Sequence, residues 1–192
     1  KFCFWNRENT HEAEGFVCIF YHQILTLSLF FCGILFPSMK LYLATDHAGF
    51  ALKEEVKKYL EEHEHEVYDC GALTLEPGDD YPNYIALAAS RVQHDALHDP
   101  SMAIIFGGSG QGEAIVANRF RHVRAVVYAG GNLELVKLGR EHNDANVISV
   151  GARFVSGSEA IQAIELFLAT PFSHEERHAD RVIQIDEVAH HN

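Results

Sequence analysis

The sequence predicts an α/β fold in which a mainly parallel sheet is covered by helices on both faces. Two observations carry that expectation. From Met39 onward, short β-branched or apolar runs alternate with amphipathic stretches, the pattern of successive βαβ units. One of these runs, Met102-Ala-Ile-Ile-Phe106, passes directly into a glycine-lined turn that opens a helix, Gly107-Gly-Ser-Gly-Gln-Gly112. In sheets of this kind ligands bind beyond the carboxyl ends of the strands. Three segments fall at such ends: Thr45-Asp46-His47, the glycine loop and Gly151-Ala-Arg153.

In chain order, the apolar runs place strands at 40–45, 66–70, 102–106, 124–128 and 147–151. Between the first two, Leu52, Val56, Tyr59 and Leu60 recur at helical spacing, and Ile85, Ala88, Ala89 and Val92 do the same before the third. Residues 112–119, 132–140 and 158–169 also favour helix. The stretch Glu-Pro-Gly-Asp-Asp-Tyr-Pro, within residues 74–83, is a turn cluster between the second strand and the second helix. His142-Asn143-Asp144 reads as a polar link before the last strand. Ser173 and Glu176 have the spacing of a capping box, which predicts that a final helix begins at Ser173.

At 192 residues the chain is long enough for one domain with a full core. Its 47% hydrophobic and 22% charged residues are ordinary for a globular protein. A formal net charge of −12 opposes nonspecific nucleic-acid binding, so an anionic ligand has to be captured by a local cluster of Arg and His. Residues 1–38 differ from the rest. They carry a mostly apolar run from Phe16 to Phe36, preceded by an acidic flank that makes a poor signal n-region, and Met39 then opens the first strand. The expectation is an upstream or leader segment over residues 1–38, outside the fold, and one domain over 39–192 with no membrane association. That domain holds a single cysteine, Cys70, and no CxxC pair, which speaks against a disulfide scaffold and for a reducing cytoplasm. The thirteen histidines form no convincing metal set, with His63/His65 and His94/His98 in charge-rich stretches expected to be exposed.

The glycine loop is the most informative segment. Gly107, Gly108, Gly110 and Gly112 leave backbone N–H groups uncovered, and the following helix points its amides and positive dipole end at the same space. It is not a dinucleotide fingerprint, because the third glycine comes one residue early, and it lacks the Lys-Ser or Lys-Thr ending of a P-loop. Glu113 argues further against a simple phosphate cradle, since a carboxylate there repels a resident anion; it suits a base working beside a forming oxyanion. Asp46 either caps the helix that follows or joins His47 in handling a sugar ring or a phosphate. Arg177 and Arg181 stand four residues apart on the last helix, where like charges cost roughly 0.2–0.5 kcal/mol unless an anion joins them. A solvated basic face is the plain alternative.

Six segments together, Ala44-Thr-Asp-His-Ala-Gly-Phe50, Asp79-Asp-Tyr-Pro82, Gly107-Gly-Ser-Gly-Gln-Gly-Glu113, Arg140-Glu-His-Asn-Asp-Ala-Asn146, Gly151-Ala-Arg153 and Glu176-Arg-His-Ala-Asp-Arg181, resemble the ribose-5-phosphate isomerase B family in order and spacing. The resemblance covers Met39 to about Asp186. It implies a three-layer α/β/α, Rossmann-like fold with a five-stranded parallel sheet, and a homodimer whose active sites lie at the subunit interface. It further implies an aldose–ketose isomerase that interconverts ribose 5-phosphate and ribulose 5-phosphate through a cis-enediolate, with neither metal nor organic cofactor. Many members carry a cysteine base where this chain has Gly107, so the chain is similar to the branch whose base is a glutamate, here Glu113.

By the same resemblance the amides around Gly108, Gly110 and Gly112 hold the enediolate and Ser109 bonds a hydroxyl. His142 and Asp46 open the sugar ring while Asn143 orients hydroxyls, and Tyr81 closes a wall. Arg153, Arg177 and Arg181 with His47 clamp the phosphate, the last two arginines reaching into the partner's site. Isomerisation of a hexose 6-phosphate on the same scaffold, and a non-catalytic nucleotide- or sugar-phosphate-binding module, are the alternatives. Glu113 separates the last from an enzyme.

Overall fold

The computed structural model describes residues 39–188. The expected leader, residues 1–38, and the terminal His190-His191 pair lie outside the described residues. Five strands, β1 (Lys40–Ala44), β2 (Glu66–Asp69), β3 (Met102–Gly107), β4 (Ala125–Tyr128) and β5 (Val147–Gly151), form one sheet in the order β2-β1-β3-β5-β4, every pairing parallel. Six helices fill the connections and the C-terminal end: α1 (Phe50–Glu62), α2 (Tyr81–Asp95), α3 (Gln111–Ala117), α4 (Glu134–Asn143), α5 (Gly157–Ala169) and α6 (Glu176–Val188). No helix among the described residues is long and apolar enough to cross a membrane.

Central strands buried on both faces produce the continuous apolar runs seen in β1, β3 and β5. On one face Leu41, Leu43, Ile104, Phe106 and Ile148 pack with Leu52, Val56 and Leu60 of α1, Val136 of α4, and Ile164 and Phe167 of α5. On the other, Tyr42, Ala44, Ala103 and Ile105 meet Ile85, Ala88, Ala89 and Val92 of α2, and Ala117 of α3. The result is the three-layer α/β/α architecture expected from the sequence. A fully buried Leu or Ile contributes roughly 1.5–3 kcal/mol, so these two layers supply the main driving force.

Strand order fixes where a ligand can sit. From β1 the chain steps outward to β2, and from β3 it departs toward the opposite edge, so the order reverses between β1 and β3. The carboxyl ends flanking a reversal leave an open crevice because the helices that follow diverge. Leu41 pairs with Met102 and Gly107 with Gly151, which brings Thr45-Asp46, the glycine loop and Ala152-Arg153 to the same edge. A side chain on Gly49 would stand 2.4 Å from Thr45 Oγ1 and 2.6 Å from Phe106 Cβ, so glycine lets α1 begin hard against that crevice.

Three local expectations are corrected. The last helix begins at Glu176, three residues beyond Ser173, because the Ser173 hydroxyl is taken by the Glu175 amide (3.3 Å) and the His178 ring (2.9 Å). The capping box forms instead on α5, where Ser156 Oγ accepts the Glu159 N–H. His142 and Asn143 belong to the last turn of α4, not to a link, since Asp144 ends that helix in the left-handed region at φ 45°. His65, expected to be exposed, is buried at the start of β2, and burial lowers its pKa.

Candidate active site

Glu113 stands in the first turn of α3, directly beyond β3, and is 5% exposed. Its carboxylate lies against the backbone of Gly107: a Cβ built there would be 1.8 Å from Oε1. Burial pushes the Glu113 carboxyl above its ordinary value and the nearby Asp46 carboxylate adds to the rise, while a bond from its own amide acts the other way. A carboxyl biased toward taking up a proton, set in the first turn beyond β3 beside the glycine loop, suits general-base work.

The loop above it is held open by its neighbours. Gly110 adopts φ 77°, and its carbonyl accepts the buried Ser149 hydroxyl of β5 at 2.6 Å. Gly151 lies so close beneath Ser109 that a Cβ would meet its carbonyl at 2.8 Å. Among the described residues none accepts a hydrogen bond from the amides of Gly108, Ser109, Gly110 or Gly112. Such uncovered N–H groups, next to a helix start, are donors aimed at developing negative charge. Ser109 is exposed on the same loop.

Asp46 and His47 follow β1 across the crevice. Asp46 is buried, and its Oδ1 accepts the Ala48 N–H at 2.9 Å, so it closes the turn ahead of α1; the cap position itself, Gly49, makes no side-chain bond. His47 receives a carboxylate from a different segment. Asp79 Oδ1 accepts its backbone N–H at 2.8 Å and contacts its Nδ1 at 2.7 Å. Asp46, His47 and Asp79 also form a set of potential metal donors within 4.8 Å of one another, although Nδ1 and Oδ1 already satisfy each other there. Tyr81 projects over the start of α3, its hydroxyl 2.6 Å from where a Cβ on Gly112 would be. Arg153 donates its backbone N–H to the Gly108 carbonyl at 3.2 Å, and its guanidinium lies over Gly108.

Glu113, Ser109, Asp46, His47, Tyr81, Arg153 and the loop glycines are therefore gathered at one end of the sheet. His142, Asn143, Arg177 and Arg181 are not with them. Helix α4 runs from the carboxyl end of β4 back to the amino end of β5, so its last turn lies at the opposite edge of the sheet from Glu113. A five-residue strand at roughly 3.3 Å per residue separates the two ends. There the His142 ring packs on buried His178 of α6 with centroids 4.2 Å apart, and Ser173 donates its amide to the Glu141 carbonyl. Burial, then the neighbouring His142, lower the pKa of His178. At the far end of α6, Asp186 meets His122 at 3.1 Å, and Asn143 shares a depression with His122, Arg124 and Ile185. Arg177 and Arg181 point to solvent from this helix, Arg177 beside Glu175 at 3.2 Å. Within one chain the expected ring-opening pair of His142 and Asp46 is thus not assembled, nor is a clamp joining Arg153 to Arg177 and Arg181.

The segment Asp79-Asp-Tyr-Pro82 carries part of the family resemblance, but residue type alone assigns no role to Asp79 or to Ser149. A Pro-Gly turn before Asp79 was the available signal for the first; nothing in a buried strand serine signalled the second.

Residues 41–185 match the family model described as ribose/galactose isomerase. Ribose-5-phosphate isomerase B of Mycolicibacterium paratuberculosis is 39% identical over 145 residues, covering 75% of this chain and 87% of that protein. Among solved structures, ribose-5-phosphate isomerase B from Mycoplasma genitalium with bound ribulose-5-phosphate superposes with a TM-score of 0.75 at 30% identity, covering 81% of this chain and 99% of that one. The Clostridium thermocellum enzyme gives a TM-score of 0.74 at 33% identity, covering 80% and 99%. With sequence and fold matching over the whole sheet and the crevice at its strand reversal, the chain belongs to the ribose/galactose isomerase family.

Proposed function

We propose that the protein interconverts ribose 5-phosphate and ribulose 5-phosphate, with Glu113 carrying a proton between C2 and C1 of the open-chain sugar. The observation that supports this most directly is the buried Glu113 carboxylate beneath a loop of uncovered amides. Removing a proton next to a carbonyl leaves charge on oxygen, so the step needs a base at carbon and donors at that oxygen. Amides of Gly108 to Gly112 supply the donors, and each is worth about 3–4 kcal/mol of barrier by analogy with other oxyanion holes. Ser109 bonds the enediolate or a neighbouring hydroxyl. Asp46, His47, Tyr81 and Arg153 bound the sugar on this side. These groups suffice for enolisation by protein side chains and amides alone.

The remaining groups reach the sugar from a second copy of the chain. His142, Asn143, Arg177 and Arg181 form an exposed or half-buried set at the other end of the sheet, and a two-fold dimer that apposes the two ends builds two complete sites. His142 of one copy then meets Asp46 of the other for ring opening, and the arginine forks meet the phosphate. A cytoplasmic setting suits both the phosphorylated substrate and Cys70, the one free cysteine among the described residues.

The test is conversion of ribose 5-phosphate by the intact protein and by Glu113→Gln, with hexose 6-phosphates assayed beside it. The expected result is turnover of the pentose phosphate, lost almost completely in Glu113→Gln with KM changed little. Equal turnover in both proteins removes Glu113 as the base; preference for a hexose 6-phosphate reassigns the substrate.

A further inference from the structure

We infer that Asp79 is a positioning residue that sets which ring nitrogen of His47 faces the substrate. The inference rests on the isomerase reading only in naming what His47 meets. Its geometric basis is independent. Glu76-Pro77-Gly78-Asp79 is a tight turn with proline second, Gly78 third at φ 86°, and the Asp79 amide returning to the Glu76 carbonyl at 3.3 Å. That turn drives the Asp79 side chain, 8% exposed, back toward the end of β1. There a single oxygen, Oδ1, takes both the His47 N–H and the His47 Nδ1. The other oxygen, Oδ2, is buried away from His47, and the nearby Tyr84 hydroxyl also favours the ionised carboxylate.

An ionised carboxylate only accepts, so its contact with Nδ1 requires the proton on that nitrogen. Burial acts to raise the Asp79 carboxyl, but the His47 amide and ring outweigh it and hold it below the ordinary value, keeping it an acceptor. Nδ1–H is thereby fixed, the ring plane is fixed by the second bond to the same oxygen, and Nε2 is left for the ligand. The side chain of His47 is 35% exposed, and among the described residues none hydrogen-bonds its Nε2. As an imidazolium, His47 donates from Nε2 to an anionic oxygen of the sugar phosphate; as a neutral ring it accepts a hydroxyl there.

A plain loop staple is the competing role, and the tautomer separates the two. The full chain, labelled with 15N-histidine, gives ring-nitrogen spectra in which the His47 signals are identified by their loss in His47→Asn. In wild type without substrate, His47 is expected in the Nδ1–H form. Asp79→Ala is expected to lose that form and to raise KM for ribose 5-phosphate about tenfold, with kcat changed by less than about threefold. Asp79→Asn, whose amide oxygen still accepts, is expected to keep the tautomer and stay within about threefold of wild-type KM. An unchanged tautomer in Asp79→Ala overturns the inference, as does a changed tautomer with KM unmoved. Absence of isomerase activity in wild type overturns the isomerase reading instead, because the tautomer is read with no substrate present.

Discussion

The Glu113 carboxylate fills the space that a side chain at Gly107 would need, with Oε1 only 1.8 Å from the position of a Cβ there. The two positions are therefore coupled: a side chain at 107 and a carboxylate from 113 exclude each other. Gly107→Ala displaces the Glu113 carboxylate while leaving its chemistry intact. Misplacing a catalytic group by about 1 Å costs on the order of 100-fold, so kcat should fall by about that factor. Steady-state kinetics on protein shown by circular dichroism to be folded makes the check. Near wild-type turnover would mean that the carboxylate works from another place.

Glu113 also predicts opposite effects of one substitution on rate and stability. Because its folded pKa is raised, chiefly by burial and further by Asp46, the proposed base is ionised only above that raised value. The acid limb of kcat/KM should therefore sit above about pH 4.3, the ordinary glutamate value. For stability the folded state binds this proton more tightly than the unfolded chain, so stability falls as pH rises from the ordinary value through the raised one. Above both values the ionised carboxylate is a standing cost. Glu113→Gln should thus raise Tm at pH 7, and the gain should fade below about pH 4. Calorimetry across that range decides it; a lower Tm at neutral pH would show that the charge is well solvated.

The sheet was legible in the sequence because buried parallel strands must be short apolar runs, and their observed ends lie within a residue of those expected. Helix ends were less so. Asp144 stops α4 with a left-handed conformation that a glycine would have advertised, while Gly139, of the residue type that more often ends a helix, sits inside it against Val126. The meeting of Asp46, Glu113 and Arg153 at one crevice was legible as well, since each follows a strand and strand ends converge. The placement of His142 and Arg177 at the opposite edge depends on which end of the sheet α4 returns to and how α6 docks, and spacing along the chain records neither.

Away from the crevice, Asp95 should govern acid stability. Its carboxylate meets Lys40 Nζ at 2.8 Å, the Tyr42 hydroxyl at 2.8 Å and His94 Nδ1 at 3.1 Å. Burial pushes this carboxyl up, but Lys40, His94 and Tyr42 prevail and hold it well below the usual carboxylate range. A depressed folded value contributes stability above the unfolded value of about 3.9, and that contribution is lost as pH falls through the folded one. Asp95→Asn should cost about 1.5–3 kcal/mol at pH 7, the worth of hydrogen bonds to a charged group. In urea titrations the gap between the two proteins should narrow as pH is lowered toward 2; a gap independent of pH would assign the loss to packing.

The proposed division of one site between two copies predicts rescue between inactive proteins. Glu113→Gln removes the base, whereas Arg177→Ala with Arg181→Ala removes phosphate donors from the other end of the sheet, so each homodimer carries two damaged sites. A mixed dimer places both lesions in one site and leaves the other intact. With one good site out of two, the mixed dimer should show about half of the wild-type activity. Co-expression under two affinity tags, followed by assay of the doubly purified species, measures this directly. If the mixed species is as inactive as its parents while wild type carrying both tags is active, the two residue sets do not act in a common site.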